Sequence, residues 1–421
     1  MAIGRGITSN RMIDAGAGNR RAGSHLVWSV AIMVIVLRLT LLLIFHHWSI
    51  STGKEGLSPL YNEGDDGGTY YNWALDIANG SDVFVVNIYP CLLGWAMKIT
   101  GVTDIFPYKL ANCLSGCACV LLALVIFRLL MERHDHLRVS EAKPAALVIL
   151  LVGLYPSGTA FTLISLYRDA CIYLLHLTAV YLCLRVLFAR SALTKLEIIG
   201  GIIPVLYLLH SFRWYACVSV LLGVLIWTAV DTAYRLRRRR LRVRSLASLM
   251  VMALVVIGLV VSQGITPGSD RIDSLDNYRA GYSATGARSN LGVELPSMRD
   301  PRFLPLYAYS LVSNVFGPFP LQAERDQARV VMLLEAPVLL FVGVQIWKRR
   351  RYLNRGSAFL LCQAAAWFLL IAYANDNLGT AARLRVVGWH CVFILCGCLV
   401  YAAMCARRAA HTAQTEVERS Q

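Results

Sequence analysis

Long apolar runs recur along the chain, parted by polar stretches, and two of those partings are far longer than the rest. Each run approaches the 20 or so residues that a helix needs to cross ~30 Å of hydrocarbon. The runs lie near 26–46, 108–130, 145–163, 170–189, 197–211, 214–231, 246–263, 329–347, 357–374 and 386–405. The pattern predicts an all-α polytopic integral membrane protein with about ten transmembrane helices. Pro156 interrupts the third run and the fifth is short, so the count carries a margin of a span or two.

The two long partings, 47–107 and 264–328, hold pattern of their own. Residues 68–79 read as an amphipathic helix whose apolar stripe is Tyr70, Trp73, Leu75, Ile77 and Ala78. Segment 83–99 is apolar but carries Asn87, Pro90, Gly94 and Lys98. A crossing there would invert every later loop, so the segment is expected to lie at the interface or to be re-entrant.

Composition agrees with a membrane protein: 57% of residues are hydrophobic and 16% are charged, against about a quarter charged in soluble domains. The formal net charge of +16 is uneven along the chain. Alternate connections carry the basic residues: Arg133, Arg138 and Lys143, then Arg190 and Lys195, then Arg235 to Arg244, then Lys348 to Arg351. By the positive-inside rule these face the cytoplasm, as do a basic tail at 1–25 and a tail at 406–421. Residues 26–405 form the membrane domain, and loops 47–107 and 264–328 fall on the outer, periplasmic face of the inner membrane. Tethered between spans, the Arg235–Arg244 run reads as an anchor on anionic lipid, and no nucleic-acid partner is expected. No A-x-A-like site follows the first run, so a cleaved signal peptide is not expected. The 12 cysteines all fall in or beside apolar runs and read as packing residues.

Four polar clusters end at the predicted outer boundary. They are Glu63, Asp65 and Asp66; Tyr167, Arg168 and Asp169; His210 to Tyr215 around Arg213; and Asn375 to Thr380, followed by Arg383 and Arg385. Charges beside hydrocarbon are costly unless paired or lining a wet cavity. The set divides into acids from one loop and arginines from three turns. A guanidinium suits phosphate because its planar fork donates two bonds and stays charged. A carboxylate nearby can take the proton of an incoming hydroxyl as the phosphate leaves.

On these residues the chain resembles the GT-C superfamily of integral-membrane glycosyltransferases, which use polyprenyl-phosphate sugar donors. The likeness lies in Asp65-Asp66 in the first outer loop, Tyr70, the small residues Ala74 and Ala78 ending at Gly80, Tyr89-Pro90, and the span around Asn112. Later elements, Tyr167-Arg168-Asp169, Gly317-Pro318-Phe319-Pro320 and Asn377 to Arg385, are similar to exopolysaccharide-locus membrane proteins. The resemblance implies an inverting transferase whose first-loop Asp is the catalytic base and whose outer basic residues hold the donor phosphate. Its partners would be the polyprenyl-phosphate sugar, a lipid-linked glycan or glycolipid acceptor, and membrane lipids.

Asp65 is the favoured base, because Asp66 lies nearer the helix start and suits a cap; capping by both is the competing reading. Glu63, Tyr70, Tyr71, Arg168, Arg213, Arg279, Arg288, Arg383 and Arg385 are the substrate-binding candidates. Arg168 with Asp169 also reads as an ion pair between helices, and the boundary arginines as lipid anchors. Glu63, Asp65 and Asp66 have the hard oxygen chemistry for a divalent cation, with no His beside them, so no metal site is assigned. Arg38 and Glu335 fall within spans, and Arg38 is expected to snorkel or to pair within the bundle, with Glu335 as one candidate partner. Two rival functions stay open: a polysaccharide polymerase or ligase with an oligosaccharide-pyrophosphate donor, and a lipid-linked sugar transporter or flippase.

Overall fold

The computed structural model describes residues 6–60, 65–132, 140–238, 290–296, 299–322 and 326–420, with isolated positions between 250 and 258. Thirteen helices are described: α1 (Gly6–Ser51), α2 (Asp66–Ala78), α3 (Tyr89–Thr100), α4 (Ile105–Met131), α5 (Ala142–Leu154), α6 (Pro156–Leu163), α7 (Asp169–Phe188), α8 (Ala192–Phe212), α9 (Trp214–Arg237), α10 (Phe303–Phe316), α11 (Asp326–Arg349), α12 (Arg355–Ala374) and α13 (Leu378–Ser420). Among the described residues, extended pairing is limited to one isolated bridge between Asn290 and Asn377. The protein is an all-α, multi-pass membrane protein: eight helices are long and apolar enough to cross a bilayer, and up to nine when α5 and α6 count as one bent span. These correspond to the apolar runs of the sequence except 246–263, which falls outside the described stretches.

α2 and α3 have 13 and 12 residues, so each is only about 20 Å long at 1.5 Å per residue and cannot cross. They pack against each other as a helical pair at one end of the bundle. The 83–99 segment therefore does not span. α10, with 14 residues, is a short apolar helix packed on α12, and the span pattern did not predict it. At the bundle's centre lies α13, which packs on α4, α5, α7, α10, α11 and α12.

The third span is bent by 50° between α5 and α6. Pro156 has no N–H and its ring crowds the preceding turn, so carbonyls near the break lose their helical partners. Arg38 replaces them. From α1 its Nη1 donates to the Gly153 carbonyl at 2.9 Å, where Thr159 Oγ1 also donates at 3.1 Å, and its Nη2 donates to Thr162 Oγ1. A Cβ at Gly116 would stand 2.2 Å from Arg38 Nη2, so only glycine on α4 leaves room for the guanidinium.

Arg38 thus does not pair with Glu335. That carboxylate, on α11, instead accepts from Arg385 Nη2 at 2.5 Å, from the Tyr155 hydroxyl at 2.8 Å and from the Ser157 backbone N–H at 2.8 Å. Much of the remaining α11 surface is exposed apolar side chain, including Leu333, Leu334, Leu340 and Trp347. The buried ion pair therefore fixes a largely lipid-facing helix to α6 and α13.

Candidate active site

The first turn of α2 lies against the turn between α6 and α7, and one residue makes this approach feasible. A Cβ at Gly67 would stand 2.1 Å from Ser165 Oγ and 2.9 Å from the Leu166 backbone nitrogen. With glycine there, the two neighbouring carboxylates diverge. Asp65 occupies the N-cap position without a side-chain capping bond, and its Oδ2 accepts a 2.5 Å hydrogen bond from Ser165 Oγ. Close by, the buried Lys109 ammonium donates to the Gly56 carbonyl at 2.7 Å and feels the Asp65 charge. Asp66 turns the other way, and its Oδ2 meets Arg383 Nη1 of α13 at 2.5 Å.

Behind that pair stands a buried carboxylate, Asp169, at the start of α7. Its Oδ1 lies 3.4 Å from Arg213 Nη1 and its Oδ2 lies 3.9 Å from Arg383 Nη1. One anion thus holds two arginines from two other helices, which offsets much of the desolvation that each suffers. Arg168 is tethered separately: its Nη1 donates to the Phe212 carbonyl at 3.1 Å and its guanidinium lies 5.8 Å from the Tyr70 ring centroid. Arg213 and Arg383 stand 5.4 Å from the rings of Tyr215 and Tyr167. Aromatic faces so placed attract the cations and restrict their directions.

These groups enclose a cavity of about 230 Å³ lined by Asp66, Thr69, Tyr70, Trp73, Val86, Asn87, Arg168, Arg213, Tyr215, Ala374, Asn375, Thr380, Arg383 and Leu384. Four helices begin at its wall. Asp66 and Thr69 lie in the first turn of α2, Arg168 and Arg213 are the N-caps of α7 and α9, and Thr380 lies in the first turn of α13. Helix N-termini carry partial positive charge and spare N–H groups, so the backbone adds to the preference for an anion. Two buried donors at the wall, Arg168 Nε and Asn87 Nδ2, make no hydrogen bond among the described residues. Asn87 is held by its other end, where Oδ1 accepts from the Tyr89 backbone N–H at 3.0 Å. Burial pushes the Tyr70 phenol above its ordinary pKa, against the pull of Arg168. It therefore remains a neutral hydroxyl at physiological pH.

Of the residues proposed from sequence, Asp66, Tyr70, Arg168, Arg213 and Arg383 line this one cavity. Asp65, the favoured base, is turned toward Ser165 and is not part of the wall. It occupies the cap position that the sequence reading gave to Asp66. Tyr71 faces elsewhere, its hydroxyl donating to the Thr103 carbonyl at 2.9 Å. Arg385 also departs from expectation: it is buried against Glu335 and the Gly317 carbonyl. Two residues along a helix turn the side chain by about 200°, so Arg383 and Arg385 cannot share a face. Glu63, Arg279 and Arg288 lie outside the described residues. Among those described, no group of three or more His, Cys, Asp or Glu is arranged to hold a metal ion.

The sequence reading passed over Asp169 and Asn87 as site residues. Asp169 carried a signal, a carboxylate at a span boundary next to an arginine, yet its partners come from α9 and α13, far along the chain. Asn87 had only its polarity within an apolar segment to mark it. No family model matches the chain, and neither a curated protein nor a solved structure matches it.

Proposed function

We propose that the protein is a membrane-embedded glycosyltransferase of GT-C type, transferring a sugar from a polyprenyl-phosphate donor to a lipid-linked glycan or similar acceptor. The observation that carries this reading is the convergence of Arg168 and Arg213, from two inter-helix turns, and Arg383, near the start of α13, on one cavity that also presents the Asp66 carboxylate. The arginines and the helix N-termini would hold the donor phosphate. The acceptor oxygen would then attack the anomeric carbon, the bond from that carbon to the phosphate oxygen would break, and its electron pair would leave with the polyprenyl phosphate. The acceptor proton would pass to Asp66, giving inversion at the anomeric centre.

A cavity of about 230 Å³ is below the ~300–1,000 Å³ usual for drug-sized ligands. It has room for a phosphate with its first sugar, the part of the donor that the transferase reading requires it to hold. The transporter alternative calls for ionisable groups exposed along a path through the bundle. Arg38 and the Glu335–Arg385 pair are instead buried and tied to protein groups.

On the charge pattern we place the cavity on the outer face of the inner membrane with both termini cytoplasmic. An impermeant thiol reagent on intact cells would then modify a cysteine introduced at Ser81, near the cavity, and miss one at Ser191, at the opposite end. For the chemistry, purified protein is incubated with polyprenyl-phosphate-linked hexoses and release of polyprenyl phosphate is followed. Release that needs a glycan acceptor supports the reading. Consumption only of pyrophosphate-linked oligosaccharide would replace it with the polymerase.

A further inference from the structure

Arg383 has two claims on it. Its Nη1 is 2.5 Å from Asp66 and 3.9 Å from Asp169, yet the same guanidinium faces the cavity where an anionic ligand would sit. Its two carboxylate neighbours are not equivalent. The Asp169 side chain is 3% exposed and also holds Arg213, whereas Asp66, on the rim, is 44% exposed. At 2.5 Å the guanidinium occupies Asp66 Oδ2, and that contact must be given up before the oxygen can take a proton from an acceptor hydroxyl.

We infer that Arg383 is an exchange contact: an alkyl phosphate entering the cavity takes the guanidinium from Asp66, and Asp66 becomes an available base only when phosphate is in place. Asp169 is the fixed side of the exchange, a positioning residue that keeps Arg383 and Arg213 aimed at the cavity in both arrangements. The exposure difference supplies the direction, since the half-exposed carboxylate can be rehydrated when it loses its partner and the buried one cannot. Such coupling would keep the carboxylate from acting on water or acceptor before the donor arrives. The inference rests on the transferase reading for the meaning of Asp66 as a base, but the exchange is a statement about anion binding and is measurable without turnover.

Its consequence runs opposite to that of an ordinary binding residue. If Asp66 competes with phosphate for Arg383, removing its charge should tighten phosphate binding. The probe is dodecyl phosphate, titrated into the full-length protein in detergent micelles. Asp66→Asn should bind it about 3- to 10-fold more tightly than wild type, a modest factor because the pair is partly solvated. Asp65→Asn removes the same charge one residue away without touching Arg383, and should change affinity less than about twofold. In an Arg383→Gln background overall binding should fall, and Asp66→Asn should add nothing, the signature of a direct pair in a double-mutant cycle.

Equal tightening by Asp65→Asn and Asp66→Asn would reduce the effect to general electrostatics and overturn the exchange. Unchanged or weaker binding by Asp66→Asn, with wild type binding normally, would overturn it while leaving the phosphate cavity intact. Failure of wild type and both variants to bind dodecyl phosphate would overturn the exchange and the phosphate reading together.

Discussion

Two arginines stand two residues apart at the start of α13, and the bundle uses them in opposite ways. Arg383 faces the cavity, shared between the half-exposed Asp66 and the buried Asp169. Arg385 faces the interior, closed in by Glu335 and the Gly317 carbonyl, with the Tyr155 hydroxyl on the same carboxylate. Charge, residue type and distance from the membrane boundary are nearly the same for both. What separates them is helical phase and what lies opposite each face. An arginine whose partners leave it beside a cavity can exchange them for a ligand, whereas one whose partners seal it off can only hold helices together.

The largest effect should come from breaking the sealed side. Arg385→Ala leaves the Glu335 carboxylate buried without its cation, a change that costs about 3–5 kcal/mol when a buried pair loses one member. The variant should lose monodisperse, folded protein in detergent, while Arg383→Ala should melt close to wild type. Similar melting of the two would erase the distinction between them.

Next in size is Arg383→Lys, which keeps charge but loses the planar fork. If the lost interaction is a charge-assisted bond of roughly 1.5–3 kcal/mol, affinity for dodecyl phosphate should fall about 10- to 150-fold. The same substitution at Arg385 should alter melting rather than affinity, and a purely thermal effect at Arg383 would make it a second latch.

Gly67→Ala probes how the acids are aimed. The added methyl would meet Ser165 Oγ and the Leu166 nitrogen at 2.1 and 2.9 Å, so α2 must shift, at about 1–3 kcal/mol for an overpacked contact. A wider separation between the starts of α2 and α13 should follow, read as weakened crosslinking between cysteines placed at positions 66 and 383 in a background without native cysteines. Unchanged crosslinking would mean that the α2 start does not depend on this approach.

The smallest effect is expected at Tyr71→Phe. It loses one exposed hydrogen bond to Thr103, worth about 1 kcal/mol or less, and should leave phosphate affinity unchanged. A loss of affinity there would extend the site beyond the cavity wall.

Much of this architecture was legible in the sequence because a membrane makes hydropathy and length nearly sufficient to find spans. The bent span announced itself through Pro156. The short pair α2 and α3 followed from the amphipathic stripe and from the topology that a crossing at 83–99 would break. Side-chain partners were less legible, for a physical reason. Whether Arg38 pairs with Glu335 or caps Gly153 depends on which helices adjoin at that depth, and spans of similar hydropathy do not encode their neighbours. Asp65 and Asp66 show the same limit at closer range. Consecutive residues at a helix start point about 100° apart, and the side that faced the cavity was decided by Gly67 against Ser165, a contact about 100 residues away along the chain.

The central claim is that Asp66, through the cavity it shares with Arg383, and not Asp65, is the carboxylate that acts. It is tested most directly by turnover of purified Asp66→Asn and Asp65→Asn with a polyprenyl-phosphate sugar under saturating donor. Loss of a general base typically costs ~10²–10⁴ in rate, and that loss should fall on Asp66→Asn with donor affinity retained or improved, while Asp65→Asn keeps turnover within about tenfold. A collapse of turnover in Asp65→Asn with Asp66→Asn active would contradict the account and return the base to the residue beside Ser165.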